Sequence, residues 1–143
     1  MKLTFKSDVT WEHRPAMHAR VGKHDVIMDE VAAAGGTDEG PNPLQYLLSS
    51  LGGCFIAMGR LVAQEMGLDI KSIRCQVEGD IDNDGLLAKN PAVRPGFLAI
   101  RMKLHADTAE DQARMAEWLK QVEARCPVKN CLSTPVPIEV KTA

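Results

Sequence analysis

The hydrophobic pattern of the chain changes period several times, and each change predicts an element. Leu3-Thr4-Phe5-Lys6-Ser7-Asp8-Val9-Thr10-Trp11 alternates apolar and polar residues, the period of a half-buried strand. Residues 16–21 and 25–31 continue as two further strands, with Val21-Gly22-Lys23-His24 as a hairpin turn. Segment 32–41, rich in Gly, Ala and acidic residues, predicts a loop. Asn42 then offers a helix cap, Pro43 suits the first helical position, and Gly67 marks the end of a helix that reaches about Met66. Leu44, Tyr46, Leu47, Leu48, Leu51, Phe55, Ile56, Met58, Leu61 and Val62 occupy nearly every face of that helix. Such a helix is expected to be enclosed by the rest of the protein. Gly52, Gly53 and Gly59 each cost about 1 kcal/mol relative to Ala in a helix interior, which predicts close approach of another backbone.

Two longer strands follow at about 70–82 and 96–106, separated by a polar loop over 83–95 that contains Asn83-Asp84-Gly85. A second helix is expected from Asp107-Thr108, with Glu110 or Asp111 completing a capping box. Met115, Ala116, Leu119 and Val122 form its predicted buried stripe, and Pro127 stops it near Arg125. One more turn over 127–133 and a closing strand at Val136-Pro137-Ile138-Glu139-Val140 complete the chain, Pro137 restricting that strand to an edge or a strand start. Strands and helices are not strictly alternated, so the expected class is α+β. A chain of 143 residues suits one domain, 1–143.

Composition narrows the function classes. Apolar residues make up 45% and charged residues 25%, ordinary globular values, and the net charge is −2. No cluster of Lys and Arg stands out, which argues against nucleic acid and against an anionic membrane surface. The weakly charged stretch from Pro41 to Gly59 is marginal in length for a bilayer span and contains Asn42, Gln45, Ser49 and Ser50, so it is read as a buried helix. Met1-Lys2-Leu3-Thr4-Phe5-Lys6 has no apolar core of a signal peptide, and a cytoplasmic location is expected. In that reducing compartment the four cysteines are core residues, metal ligands or reactive thiols, since structural disulfides are rare there.

Metal binding is the weakest of these. His13, His18, His24 and His105 form no ligand motif that would complete a site with Cys126 and Cys131. Ser49-Ser50 lacks the setting of a hydrolase nucleophile, and Gly52-Gly53 lies inside a helix instead of cradling a phosphate at its start, so no cofactor is expected. Cys54 lies mid-helix and Cys126 directly precedes Pro127, while Cys75 and Cys131 read as packing residues. Position alone leaves Cys54 and Cys126 open between inert and reactive thiols.

Gly40-Pro41-Asn42-Pro43-Leu44-Gln45-Tyr46-Leu47-Leu48-Ser49-Ser50-Leu51-Gly52-Gly53-Cys54 resembles the central helix of the OsmC/Ohr family of organic-hydroperoxide reductases. Cys126-Pro127-Val128, between an amphipathic helix and the Val136–Val140 segment, resembles the second motif of that family, and the order of elements agrees over the whole chain. The resemblance implies a curved, mainly antiparallel sheet around central helices in an intertwined homodimer, with active sites at the interface. It implies that Cys54 is the peroxidatic thiol, that Cys126 resolves it, and that a dithiol of the lipoyl type serves as reductant. It also implies an arginine from the early strands that activates the first thiol, for which Arg14 is the better-placed residue and Arg20 the alternative.

One position departs from the family pattern. The peroxidase branch carries a glutamate directly after the Asn-Pro pair, where it tethers the arginine, and this chain has Leu44. Gln45 is neutral and directed to another face, and Asp38 and Glu39 sit in the preceding loop. Three function classes stay open: thiol-dependent reduction of organic hydroperoxides; thiol exchange, redox sensing or binding of another small-molecule electrophile with little peroxidase turnover; and a binding domain in which the cysteines merely pack.

Overall fold

The computed structural model describes residues 1–142. Its elements run β1 (Asp8–Thr10), β2 (Met17–Val21), β3 (His24–Met28), α1 (Pro43–Met66), β4 (Ile70–Asp80), α2 (Asn83–Leu86), β5 (Ala99–Thr108), α3 (Gln112–Arg125) and α4 (Pro127–Ser133). All strand pairs are antiparallel, in a three-stranded and a two-stranded sheet, so the class is α+β. The chain divides into two compact units, Met1–Leu47 and the remainder from Leu48, with the boundary inside α1.

In the first unit β1, β2 and β3 form a meander. Val21 pairs with His24 across a two-residue turn, and Gly22 supplies the positive φ (61°) that this type of hairpin requires at its first turn position. The first strand is shorter than its alternation predicts. β2 offers only five residues and its last enters the turn, so Asp8 opposite Arg20 opens the β1 pairing and Leu3 and Phe5 stay exposed. Beyond β3 the buried Asp29 organises the connection to α1. Its carboxylate accepts the N–H groups of Glu30 (2.8 Å), Thr37 (3.0 Å) and Glu39 (3.1 Å) and the Thr37 hydroxyl (2.8 Å). Together these bonds outweigh burial and hold the Asp29 carboxyl at about 2, the Glu39 amide contributing most. The segment expected to be a plain loop is therefore an ordered strap, with a 3-10 turn at Ala32–Ala34.

The strap delivers the chain to a reciprocal cap at the start of α1. Asn42 Oδ1 accepts the Gln45 N–H (2.9 Å) and Gln45 Oε1 accepts the Asn42 N–H (2.8 Å). Asn42 Nδ2 also donates to Glu30 (3.2 Å). At the other end Gly67 adopts φ 63° while its N–H bonds to Gln64 and the Leu68 N–H to Ala63, a Schellman closure.

The second unit packs α1 and α3 against β4 and β5 around Leu51, Phe55, Val62, Ala63, Trp118, Val122 and Cys126. Ile73, Val77, Ile100, Met102 and Leu104 come from the inner sheet face, while Arg101 joins Glu78 and Asp80 on the outer one. Several expectations change here. Gly52 and Gly59 are approached by side chains instead of backbone, because Val77, Ile73 and Trp118 fill the space a Cβ would need, and Gly53 faces open space. The polar loop contains the short helix α2, capped by Asp82. α3 starts later than predicted: β5 runs on through Thr108, whose hydroxyl is engaged by Asp69 and Glu110, and Asp111 caps the helix instead. The buried residues of α3 are Trp118 and Val122 with Met115 beside them, whereas Ala116 and Leu119 are exposed. Residues 136–140 form no strand, since no strand faces them among the described residues, and Val136, Ile138 and Val140 are exposed.

Enclosure of α1 is also incomplete in one chain. It is long and apolar enough to cross a bilayer, yet Ser50, Gly53, Ala57, Leu61 and Gln64 form an exposed stripe opposite its buried residues. A two-stranded sheet and a single partner helix cover one side only.

Candidate functional site

Three contacts align α1 and α3 in opposite directions. Trp118 Nε1 donates to the Gly59 carbonyl (2.8 Å), Arg114 Nη2 donates to the Met66 carbonyl (2.9 Å), and Cys126 meets Cys54. The indole lies so close to Gly59 that a Cβ there would sit 2.9 Å from Trp118 Cζ2. Trp118 thus sets the depth at which α3 rests on α1, and with it the place where α3 ends. The sequence reading missed it, although Met115, Trp118, Val122 and Cys126 follow helical spacing.

Cys126 occupies the corner between α3 and α4. Pro127 disfavours helical geometry in the residue before it, and Cys126 accordingly adopts φ −74°, ψ 110°. The same proline then begins α4, whose Lys129 N–H bonds to Cys126 Sγ at 3.4 Å. The result is that the sulfur turns back onto α1, with Cys126 Sγ 2.9 Å from Cys54 Sγ. Both are free thiols. Their exposures differ: Cys126 is 1% exposed, whereas Cys54 is half-buried at the edge of the core. Burial first, and then the hydrogen bond to Cys54, push the Cys126 thiol above its ordinary value, against a smaller opposing effect of the Lys129 amide.

The remaining cysteines stand apart from this pair. Cys75 lies on β4 among inward-facing residues, and burial raises its pKa. Cys131, expected to pack, is exposed on α4, a helix with no buried residue. Arg125 binds Glu65 through both terminal nitrogens, which lowers the Glu65 carboxyl, and Lys129 pairs with Glu123 at 3.6 Å.

The two arginines named from sequence belong to the first unit. Arg14 lies exposed between β1 and β2, next to His13, which adopts φ 57° and whose ring centroid lies 5.5 Å from that of Trp11. Arg20 sits on β2 directly opposite Asp25 on β3, and the two form an exposed ion pair at 2.9 Å. Leu44 is half-buried in the first turn of α1. Gln45, adjacent to it, is committed to the cap.

The structure and sequence both have relatives. Residues 36–141 match the family described as OsmC-like protein. The crystal structure of an OsmC-like protein from Mycoplasma pneumoniae superposes with a TM-score of 0.82 at 20% identity, covering 94% of this chain and 91% of that one. An organic hydroperoxide resistance protein OsmC from Legionella pneumophila gives 0.65 at 18% identity, covering 92% and 90%. An organic hydroperoxide resistance protein from Elizabethkingia anophelis gives 0.64 at 18% identity, covering 94% and 91%. No curated protein sequence matches the chain.

Proposed function

Because this chain belongs to the OsmC-like protein family, we propose that it reduces organic hydroperoxides with Cys54 as the attacking thiolate and Cys126 as the resolving thiol. The observation that carries this reading is the 2.9 Å separation of the two sulfurs. A disulfide needs about 2.05 Å, so a short approach at fixed backbone closes the bond. The exposures support the order of roles, since the half-buried thiol is the one a substrate can reach.

The Cys54 thiolate attacks the terminal oxygen of the hydroperoxide. The O–O bond breaks, the alkoxide leaves and takes up a proton to become the alcohol, and Cys54 becomes a sulfenic acid. Cys126, once deprotonated, attacks the Cys54 sulfur and expels hydroxide, which becomes water, and the disulfide forms. A lipoyl-type dithiol restores both thiols by two exchange steps and is itself oxidised to its cyclic disulfide. Cys54 adjoins Leu51, Phe55 and Val122 in one apolar cluster, an environment that favours an alkyl or aryl hydroperoxide over hydrogen peroxide. The names of the Legionella and Elizabethkingia relatives agree with this substrate class.

The protein acts as a cytoplasmic homodimer in this reading, and Arg14, or Arg20 released from Asp25, supplies positive charge near the thiolate. Leu44 favours a second reading, in which the pair serves thiol exchange or redox sensing with little turnover. One experiment addresses both. Stoichiometric cumene hydroperoxide is expected to link the Cys54 and Cys126 peptides and no others in a mass-spectrometric disulfide map. A Cys126–Cys131 link would refute the pair. Steady-state consumption of peroxide with dihydrolipoamide then supports the peroxidase, and disulfide formation without turnover supports the sensor.

A further inference from the structure

Thiolate chemistry at Cys54 requires something that favours ionisation, because an ordinary thiol is only a few per cent ionised at neutral pH. Apart from the Arg14 or Arg20 of the reading above, which belong to the first unit, the usual sources on the elements of the second unit are engaged or exposed. Cys54 lies deep inside α1, beyond the first turn where the helix dipole acts. On α1 and α3, Glu65 and Arg125 neutralise each other, and Arg60 is exposed. On α4, Lys129 pairs with Glu123. β4 and β5 turn Ile73, Cys75, Val77, Ile100, Met102 and Leu104 inward and keep Arg74, Glu78, Arg101, Lys103 and His105 exposed. Leu44 brings no charge.

What does meet Cys54 is the other thiol. Cys126 Sγ lies 3.4 Å from the Lys129 N–H and 2.9 Å from Cys54 Sγ, and the Val128 N–H acts on it in the same sense as that of Lys129. Both amides are donors, so among the described residues the only acceptor for the Cys126 proton is the Cys54 sulfur. We propose that Cys126 acts before it resolves, its S–H donating to the Cys54 thiolate and holding the nucleophile ionised. This deepens the role given to the pair above and rests on it.

A thiol is a weak donor to a neutral acceptor, but a hydrogen bond to an ionised partner is roughly twice as strong as a neutral one. The asymmetry of burial fixes where the charge resides. Cys126, enclosed with Val122 and Phe55, meets the larger penalty for ionising, and the half-exposed Cys54 keeps contact with water. The first proton lost by the coupled pair therefore leaves the charge on Cys54 with Cys126 as its donor. A single residue then carries both activation and resolution.

The test needs no peroxide. Iodoacetamide modification of the Cys54 peptide is followed over about pH 5 to 10 in full-length wild type, Cys126→Ala, Cys126→Val and Cys126→Ser. Loss of the donor in the Ala and Val variants is expected to raise the Cys54 midpoint by about one pH unit, slowing modification about tenfold on the acid side of both midpoints. Serine, whose hydroxyl can donate to the same sulfur, is expected to stay close to wild type. Valine roughly preserves the volume, so it carries the comparison if the Ala variant fails to fold. An unchanged or lower midpoint in the folded donor-free variant overturns the proposal. So does a serine variant that shifts as far as valine. Failure of peroxide to form the Cys54–Cys126 disulfide would instead refute the proposed function and leave this result intact.

Discussion

Leu44 and Asp29 show how differently single residues exert control near the start of α1. Leu44 is half-buried at the second helical position, so a carboxylate there meets a modest burial penalty and a favourable helix terminus worth about 0.3–1 kcal/mol. Leu44→Glu is therefore expected to fold. If it re-creates the family's arginine tether, it lowers the pH midpoint of Cys54 alkylation and raises peroxide turnover, and Arg14→Ala in that background reverses both. An effect cancelled by Arg20→Ala instead would transfer the role to Arg20. Asp29 acts on the strap instead. Its carboxyl is held at about 2 in the folded chain, below the usual carboxylate value of about 4. A lowered folded-state pKa stabilises the fold above the unfolded value, and that contribution disappears as pH falls from about 4 through 2. Thermal unfolding of wild type is expected to lose more stability across that window than Asp29→Asn, which has no carboxyl to titrate. Parallel losses would remove Asp29 as the source. Neither the strap nor its carboxylate centre was legible in sequence, because hydrogen bonds to backbone amides leave no periodic trace.

At the level of elements, the glycines of α1 separate local preference from packing. Gly59→Ala brings a Cβ within 2.9 Å of Trp118 and 3.1 Å of Ile73, so overpacking is expected to cost about 1–3 kcal/mol. Gly53→Ala meets nothing within 4 Å in the chain and gains up to about 1 kcal/mol of helix propensity. Chemical denaturation of the two variants is expected to move the midpoint in opposite directions. A destabilised Gly53→Ala would mean that another surface covers that face. Helix ends were largely readable because caps are local: Asn42, Gly67 and Pro127 each act within a few residues. Strands were less so. Val136, Ile138 and Val140 alternate as a strand should, but alternation specifies a face and says nothing of a partner to complete the backbone hydrogen bonds. The same holds for Leu3 and Phe5. The start of α3 was misplaced for a different reason, since Thr108 had a competing long-range bond to Asp69.

For the whole molecule, the thiol pair was legible through its two motifs, while the closeness of the sulfurs depended on Trp118 and the corner at Pro127. The exposed residues also bear on assembly: Phe5 is 91% exposed, Ile138 83% and Val140 87%, alongside the uncovered stripe of α1. Large apolar side chains exposed to this degree are candidates for burial against a second copy of the chain. Sedimentation is expected to show a homodimer at low micromolar concentration, and a monomer there would contradict the proposed assembly. The corner at Cys126 has a further consequence for how such measurements can be made. Its sulfur accepts the Lys129 amide, so oxidation changes the acceptor of a backbone hydrogen bond as well as the state of a side chain. A thiol, a thiolate and a disulfide sulfur accept with different strengths, and the Lys129 amide proton should register each with a distinct resonance and exchange rate. In the proposed cycle that amide is an intrinsic, label-free indicator of the oxidation state of the pair, placed in the main chain.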